Sequence, residues 1–193
     1  MNIEIFVKFD VTDLHGNIIK PGKFKRANSL VQAFAAWLAT ATSGSSTINV
    51  PDTSNTNRTM GSTYTHWNQG VGGDAAIGVT THGILAGTGT NAVVITDYNL
   101  QALIAHGTGA GQLSYAAMVS SEGWAVSGSN SWSTRTRTLT NTSGGDITIK
   151  EVGYVSNVGS STLGRFLMDR TLVDHTVVNG TGVIISYKWQ VSV

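Results

Sequence analysis

The stretch that decides the fold is 183–193, which reads Val-Ile-Ile-Ser-Tyr-Lys-Trp-Gln-Val-Ser-Val. Every second residue from Val183 to Val193 is apolar, and most of the residues between them are polar. Successive side chains of a strand point to opposite faces, so a period of two places one set on each face. This pattern predicts a long, half-buried β-strand that covers a hydrophobic core with one of its faces.

The beginning of the chain shows the same alternation. Two sets of residues alternate there, the apolar Ile3, Ile5, Val7, Phe9 and Val11 and the polar Glu4, Lys8, Asp10 and Thr12. The sequence His15-Gly16-Asn17 that follows is typical of a turn. Residues 18–26 are then expected to return as an edge or bulged strand, because Pro21 cannot donate a hydrogen bond to a ladder.

The period changes after residue 28. One apolar stripe has the spacing of a helix face and comprises Leu30, Phe34, Trp37, Leu38 and Ala41. Alanine fills most of the positions between them, which favours a helix further. The expected caps are Asn28 or Ser29 at the start and Gly44 at the end. We expect one short helix that packs on a sheet; an exposed helix that forms an oligomer contact is the alternative.

Residues 76–193 have the pattern of an all-β structure. Apolar segments recur at intervals of roughly 8–15 residues between turns rich in glycine and asparagine. The segments 131–140 and 147–155 flank one such turn and are expected to pair as a hairpin. Strands do not alternate with helices here, which argues against βαβ units. We predict a mainly β fold, an antiparallel and jelly-roll-like β-sandwich with the short helix packed on it.

The expected organisation is a single domain over residues 1–193. Residues 1–42 form its N-terminal hairpin and helix, 43–75 a polar loop or arm, and 76–193 the sandwich core. The segment 43–75 is rich in Ser, Thr, Asn and Gly, with short strand-like stretches only at 48–50 and 63–67. Two interpretations stay open, an arm that folds against a neighbouring subunit and a solvated surface loop.

The composition limits the classes of function. Charged residues make up 12% of the chain, against roughly 25% in an average soluble domain, whereas 25 Thr, 19 Ser and 23 Gly occur among 193 residues. A net charge of +1 provides no strong field for nucleic acid or an anionic membrane, so we expect neither as a partner. The chain has no cysteine, which excludes disulfides, thiolate metal sites and a cysteine nucleophile.

The sequence contains no motif for catalysis, for a cofactor or for a metal. Its five histidines show none of the spacings of zinc sites, and its 19 serines include no Gly-x-Ser-x-Gly elbow. The glycine-rich run 107–111 lacks the Lys-Ser/Thr of a phosphate-binding loop. We therefore expect no catalytic residue, no cofactor and no bound metal.

Three residues are candidates for a structural ion pair. Glu151 shares a predicted strand face with Ile149 and Gly153, where a partly buried carboxylate needs a cationic partner. Arg135 and Arg137 stand on one strand face across the expected hairpin, so either could pair with Glu151. The alternative for both arginines is a solvent-facing position, from which they could contact phosphate or an acidic partner.

Three tryptophans are candidates for a binding surface. Trp67, Trp124 and Trp132 lie close to glycine- and serine-rich turns. Exposed aromatic rings stack on sugars, so these side chains could contact a glycan or a partner protein. A place in the core or in a subunit interface is the other interpretation, and Trp37 and Trp189 are expected in the core because of their periodicity.

Several segments resemble a group of tailed-bacteriophage virion proteins. The segments that carry the resemblance are HGN at 15–17, ANSLVQAF at 27–34, GILAGTGT at 83–90, DYNL at 97–100, GQLSY at 111–115, TRTLTN at 136–141, IKEVG at 149–153 and MDR at 168–170. They span most of the chain outside 43–75. All of them are structural rather than catalytic, so the resemblance points to no active-site residue.

The resemblance implies a non-enzymatic structural component of a bacteriophage particle, namely a capsid decoration, head-spike, neck or tail protein. Such a protein is made in the host cytoplasm, resides in the virion, and contacts other virion proteins and copies of itself as a homo-oligomer. The alternative is a receptor- or glycan-binding module, similar to a spike or fibre, that holds a host surface glycan with exposed tryptophans. A polysaccharide-degrading enzyme, the third class, would need two carboxylates that face each other in a groove.

Overall fold

The computed structural model describes residues 2–27, 30–43, 48–60, 73–120, 125–158 and 164–193. The fold is mainly β, with antiparallel sheets in a sandwich-like arrangement and one helix, which confirms the predicted fold class. The elements are β1 (Asn2–Thr12), β2 (Ile18–Lys20), β3 (Lys25–Ala27), α1 (Gln32–Ser43), β4 (Ile48–Pro51), β5 (Asn57–Met60), β6 (Gly83–Gly87), β7 (Ser114–Ser120), β8 (Ala125–Ser127), β9 (Asn130–Asn141), β10 (Ile147–Val158), β11 (Gly164–Val177) and β12 (Thr181–Ser192).

The large sheet joins the first and the last strand of the chain. β1 and β12 pair antiparallel without a register shift, from Asn2 opposite Ser192 to Thr12 opposite Gly182. β9 pairs with the other side of β12, and short strands form the edges, β2 and β3 beside β1 and β7 and β8 beside β9. The two segments with the clearest alternation are therefore neighbours at the centre of this sheet.

The small sheet consists of β11, β10 and β6 in that order. One face packs on the large sheet, because the ring centroid of Tyr154 lies 5.7 Å from that of Tyr187 and 5.4 Å from that of Trp189. Residues 88–104 cover the other face, and a Cβ at Gly153 would lie only 2.5 Å from the side chain of Leu100. Residues 151–156 of β10 are all buried, because both faces of the strand are covered.

Helix α1 packs on the core. Phe34 is buried, and its ring centroid lies 5.5 Å from Trp189 and 5.7 Å from Trp37. Trp37 and Trp189 are both partly buried against the core, as their periodicity predicts. The predicted caps lie outside the described residues, at Asn28, Ser29 and Gly44.

Part of the segment predicted as a polar loop or arm, 43–75, forms a hairpin. β4 agrees with the short strand expected at 48–50, and it pairs with β5, which the sequence did not indicate. Asp52 holds the turn: its carboxylate accepts the backbone N–H groups of Ser54 (2.9 Å) and Thr56 (3.0 Å) and pairs with the guanidinium of Arg58. The strand expected at 63–67 lies outside the described residues.

The polar face of β1 is less exposed than its sequence suggests, since Asp10 and Thr12 are both buried. Residues 21–24 fold over this face, where Gly22 donates its N–H to Asp10 (2.8 Å) and the ammonium of Lys8 lies 2.7 Å from the same carboxylate. Gly22 approaches β1 so closely that a Cβ there would overlap the carbonyl of Phe9. A local covering segment therefore buries Asp10, a polar residue that alternation alone places in solvent.

The predicted hairpin between 131–140 and 147–155 is wrong. β9 belongs to the large sheet and β10 to the small sheet, so the two strands do not pair. The turn between them carries the chain from one sheet to the other, and Asn141 fixes it by donating from Nδ2 to the carbonyls of Gly145 (2.8 Å) and Val177 (2.7 Å). Alternating segments on either side of a compact turn are common to hairpins and to such sheet-to-sheet connections.

Candidate functional site

Glu151 lies on the outer face of the small sheet, completely buried beneath residues 88–104. Its Oε1 accepts the backbone N–H groups of Gly89 (3.1 Å) and Ala102 (2.9 Å), and its Oε2 accepts that of Gln101 (3.2 Å). These donors are spread over both ends of the covering segment. One carboxylate therefore attaches the whole segment to the sheet.

Arg170 is the cationic partner of Glu151 and is also completely buried. Its Nε donates to Oε2 of Glu151 (2.7 Å), its Nη1 to Asp97 (2.9 Å) and its Nη2 to the carbonyl oxygen of Asn91 (3.1 Å). Burial disfavours the charged guanidinium, but its hydrogen bonds to Glu151 and Asp97 outweigh this and raise the pKa of Arg170. The two side chains form a fully satisfied ionic centre under the covering segment.

The sequence-based partners of Glu151, Arg135 and Arg137, are wrong. Both arginines belong to β9 of the large sheet, whereas Glu151 belongs to β10 of the small sheet and points away from the large one. Arg135 forms an ion pair with Asp74 at the surface, with an N–O distance of 2.8 Å. The partner of Glu151 comes instead from β11, the strand that pairs with β10.

Arg137 is completely buried, not solvent-facing. Its guanidinium donates to four backbone carbonyls, those of Ala116 (2.9 Å), Ile84 (3.1 Å), Val79 (2.6 Å) and Ala76 (3.2 Å). Its central carbon lies 4.8 Å from the centroid of the Tyr115 ring, which adds a cation–π contact. Burial lowers the pKa of Arg137. Among the described residues no carboxylate forms an ion pair with Arg137, so this side chain ties β6, β7 and β9 together through backbone carbonyls and the ring of Tyr115.

Asp169 lies on the inner face of the small sheet, between the two sheets, and is completely buried. Its Oδ2 accepts hydrogen bonds from the hydroxyls of Thr171 (2.9 Å) and Tyr187 (3.2 Å), whereas its Oδ1 has no hydrogen-bond partner among the described residues. Burial raises the pKa of Asp169 to about 7, because the two hydroxyls stabilise the carboxylate less than water does. The same burial raises the pKa of Tyr187.

Of the three candidate tryptophans, Trp132 is the one that the structure describes. It is half-buried on the outer face of the large sheet, and Nζ of Lys188 lies 5.8 Å from its ring centroid and 4.6 Å from that of Phe6. Trp67 and Trp124 lie outside the described residues. The predicted glycan or partner surface is therefore represented by one side chain, which packs beside a lysine.

The short strands at the two edges of the large sheet form its rim, which we define as β2 and β3 on one side and β7 and β8 on the other. Four aliphatic side chains of the rim are more than half exposed: Ile18, Ile19, Val119 and Val126. In the part of the chain that the structure describes, no strand pairs with the outer side of the rim. Within the chain, Gly78 and Ala75 already bond to the backbone of β7, at Tyr115 and Met118. Where such an edge is left uncovered, its N–H and C=O groups can pair with another chain. The rim is the candidate functional site.

Known proteins do not add to this assignment, because no family model, no curated protein and no solved structure matches the chain. Over the described ranges, no helix is long and apolar enough to cross a membrane. Within the same ranges, no group of three or more His, Asp or Glu side chains is placed to hold a metal ion. The function is therefore argued from the rim and from the buried charges.

Proposed function

We propose that this chain is a non-enzymatic structural subunit of a bacteriophage particle, which assembles with copies of itself and with other virion proteins. The observation that carries the proposal is the rim, where aliphatic side chains are exposed on edge strands. Pairing of one rim with another would extend the sheet across a subunit boundary and bury these side chains in the same step. Natural monomers usually protect such edges with lysine or proline, as Lys20, Pro21 and Lys25 do on the side of β2 and β3. β7 and β8 contain neither residue type, so their edge favours an assembling subunit.

The buried charges also support a structural role. Glu151, Arg170 and Arg137 are the kinds of side chain that often perform catalysis, but each of them is completely buried. These side chains do not line a cleft. Their hydrogen bonds hold the covering segment and the two sheets in place. A rigid framework of this kind suits a protein whose contacts must repeat with the same geometry in many copies.

The weak surface charge is consistent with close packing of copies. Only 12% of the residues are charged and the net charge is +1, so identical subunits repel one another little at short range. The abundant Ser and Thr residues can form hydrogen bonds across an interface without the larger cost of removing charges from water.

The assembly is tested by light scattering across a range of protein concentrations. We expect the wild-type chain to form oligomers, and we expect Val119→Lys and Val126→Lys to shift it towards the monomer, because a lysine on each edge strand opposes pairing. Ile95→Lys is the matched control, since Ile95 is as exposed as Val119 (62% and 61%) but lies outside the rim. A wild-type chain that stays monomeric at all concentrations would contradict assembly through the rim.

The particle role is tested separately by electron microscopy of purified particles labelled with antibody against this chain. Label at a fixed position on the head, neck or tail is the expected result. If the chain forms oligomers but is absent from particles, the assembly surface stands and the particle role fails.

A further inference from the structure

A groove opens between the two sheets on the side of β3. Gly22, Lys23 and Lys25 line one wall, and Leu172 and His175 of β11 line the other. Its volume is about 510 Å³, within the range of roughly 300–1,000 Å³ that ligand sites usually occupy. The groove shares β3 with the rim but includes none of the four exposed aliphatic side chains used above, and the role proposed below does not depend on the particle assignment.

The groove is strongly cationic. Lys23, Lys25 and Arg26 line it, and Lys20 is close enough to affect the titration of His175. Among the described residues none forms an ion pair with Lys20, Lys23 or Lys25. These charges lie within seven consecutive positions that include no acidic residue, in a chain whose net charge is only +1.

The acidic residues near the groove do not neutralise it. Asp174 is the one carboxylate in its lining, and that carboxylate lies 2.8 Å from the ammonium of Lys150. Glu4 lies 3.3 Å from Arg26, which leaves the lysines of this wall without a partner in the described chain. The groove therefore complements a ligand that carries several negative charges.

The floor of the groove is apolar and includes Val7, Phe9 and Val173. The rings of Phe9 and His175 are stacked, with centroids 4.9 Å apart, and Nε2 of His175 is buried without a hydrogen-bond partner among the described residues. A ligand that occupies this groove thus meets charge along one wall and apolar surface beneath it.

Each wall is also an outer strand. β3 pairs with β1 on one side only, and β11 is the edge of the small sheet, where the structure describes no strand beyond it at Leu172–His175. Outer strands can bond an extended peptide through its backbone, while alternate side chains of that peptide point in opposite directions. One set of alternate side chains can therefore reach the lysines while the other set covers the floor.

We propose that the groove between β3 and β11 binds an extended acidic peptide segment of a partner protein, with its carboxylates on Lys23 and Lys25 and its apolar side chains on Phe9 and Val173. A peptide fits better than a nucleic acid, because a strand edge offers carbonyl acceptors as well as N–H donors, and the phosphates of a nucleic acid have no donor for the carbonyls. The cationic wall is also short, whereas nucleic-acid binding gains its affinity from many phosphate contacts.

The first test is fluorescence anisotropy with a labelled heptapeptide of alternating Glu and Val. We expect Lys23→Gln/Lys25→Gln to weaken its binding at least tenfold, and both side chains are exposed, so the variant should fold normally. Arg58→Gln/Arg135→Gln removes the same charge away from the groove and should change the affinity less than about twofold. Equal losses in the two double variants would show that only net charge is sensed, and would overturn the proposal.

The second test separates the strand geometry from the charge. Two versions of the peptide are N-methylated, one at its odd and one at its even residues, and one of them is expected to lose binding, because an edge strand bonds to alternate N–H groups of the added strand. Unchanged binding of both versions would contradict strand addition. A single-stranded oligonucleotide of equal charge that binds the groove as tightly as the peptide would instead identify nucleic acid as the ligand and overturn the proposal.

Discussion

Glu151 and Asp169 are both completely buried carboxylates of the small sheet, but they lie on opposite faces and have opposite surroundings. Glu151 accepts three backbone N–H groups and the guanidinium of Arg170. Asp169 accepts two hydroxyls, and one of its oxygens has no partner among the described residues. In the same sheet, hydrogen bonds thus replace the hydration of both carboxylate oxygens of Glu151 but of only one oxygen of Asp169.

The difference shows that burial by itself does not decide the state of a carboxylate. On the outer face, charge has to be present, because the covering segment is attached through hydrogen bonds to a carboxylate and a guanidinium. On the inner face, the surroundings favour the neutral acid, and the pKa of Asp169 rises to about 7 because burial removes water from it. Breaking each site should therefore have a different signature.

The largest expected effect is that of Arg170→Leu. The substitution leaves the carboxylate of Glu151 buried and without a cation, and it also removes the partner of Asp97. Removal of one member of a buried ion pair costs about 3–5 kcal/mol, because the remaining charge is neither solvated nor paired. Urea unfolding of the variant and the wild type at neutral pH gives this difference in the free energy of unfolding.

The control for this prediction is Arg135→Ala. Its ion pair with Asp74 has the same kind of geometry, at 2.8 Å, but Asp74 is largely exposed. A surface pair contributes about 0–1 kcal/mol, since water solvates both charges when the pair is lost. If Arg170→Leu cost no more than Arg135→Ala, the ionic centre would not hold the covering segment.

The fold class and the strands at the two ends of the chain could be predicted from the sequence, but the pairing of the strands and the partner of Glu151 could not. Alternation is a local property of the sequence, so it indicates where β1 and β12 begin and end, and which residues lie on each face, before any pairing is known. The partner of Glu151 depends instead on which sheet β10 joins and on a register shift between Ile149 and Glu151 in its pairing with β11. Neither property leaves a periodic signal, because bulges and sheet-to-sheet turns are set by long-range packing.

The candidate site shows the same limit. The abundance of Ser and Thr and the shortage of charge indicate a surface for close neighbours, but they do not locate it. Ile18 and Ile19 occur in a predicted edge strand, so an edge contact could be anticipated there. Val119 and Val126 become a second exposed edge only because β7 and β8 both pair with β9, which alternation does not specify.

The second prediction concerns Asp169→Asn, whose effect should depend on pH. The folded-state pKa of Asp169 lies at about 7, above its ordinary value of 3.8, so the folded protein holds this proton more tightly than the unfolded chain. The stability that this acid contributes is fully present below pH 3.8 and is lost as the pH rises to about 7. The loss amounts to about 1.4 kcal/mol per pH unit between these values.

The measurement is the difference in the free energy of unfolding between Asp169→Asn and the wild type from pH 4 to pH 8. Asparagine keeps the shape of the side chain but does not ionise, so the variant should become more favourable relative to the wild type as the pH rises. Subtraction of the two curves removes the titration of all other groups that the substitution leaves unchanged. A difference that is constant with pH would contradict the prediction. It would show that the hydrogen bonds of Asp169 compensate its loss of hydration as fully as those of Glu151 do.

The smallest expected effect is that of Gly87→Ala, which tests how tightly the residues around Glu151 are packed on the outer face of the small sheet. A Cβ at Gly87 would lie 2.6 Å from Oε1 of Glu151 and 2.7 Å from the carbonyl oxygen of Ala102, both closer than real Cβ contacts. Gly87→Ala should therefore push the carboxylate off its backbone donors and cost about 1–3 kcal/mol in unfolding experiments. Gly145→Ala, where nothing lies within 4 Å of the new methyl group, should change the stability by less than about 0.5 kcal/mol.

The double variant Gly87→Ala/Arg170→Leu makes this test specific to the ionic centre. If the methyl group acts by displacing Glu151, its cost should fall once Arg170 is gone, because the carboxylate has then already lost its strongest partner and is free to move. The two costs should thus sum to more than the cost of the double variant, as expected for residues that share one network. If the losses in the free energy of unfolding of the two single variants add up to that of the double variant, Gly87→Ala acts only through the backbone of Ala102. The position of the Glu151 carboxylate would then not contribute to the stability of the outer face.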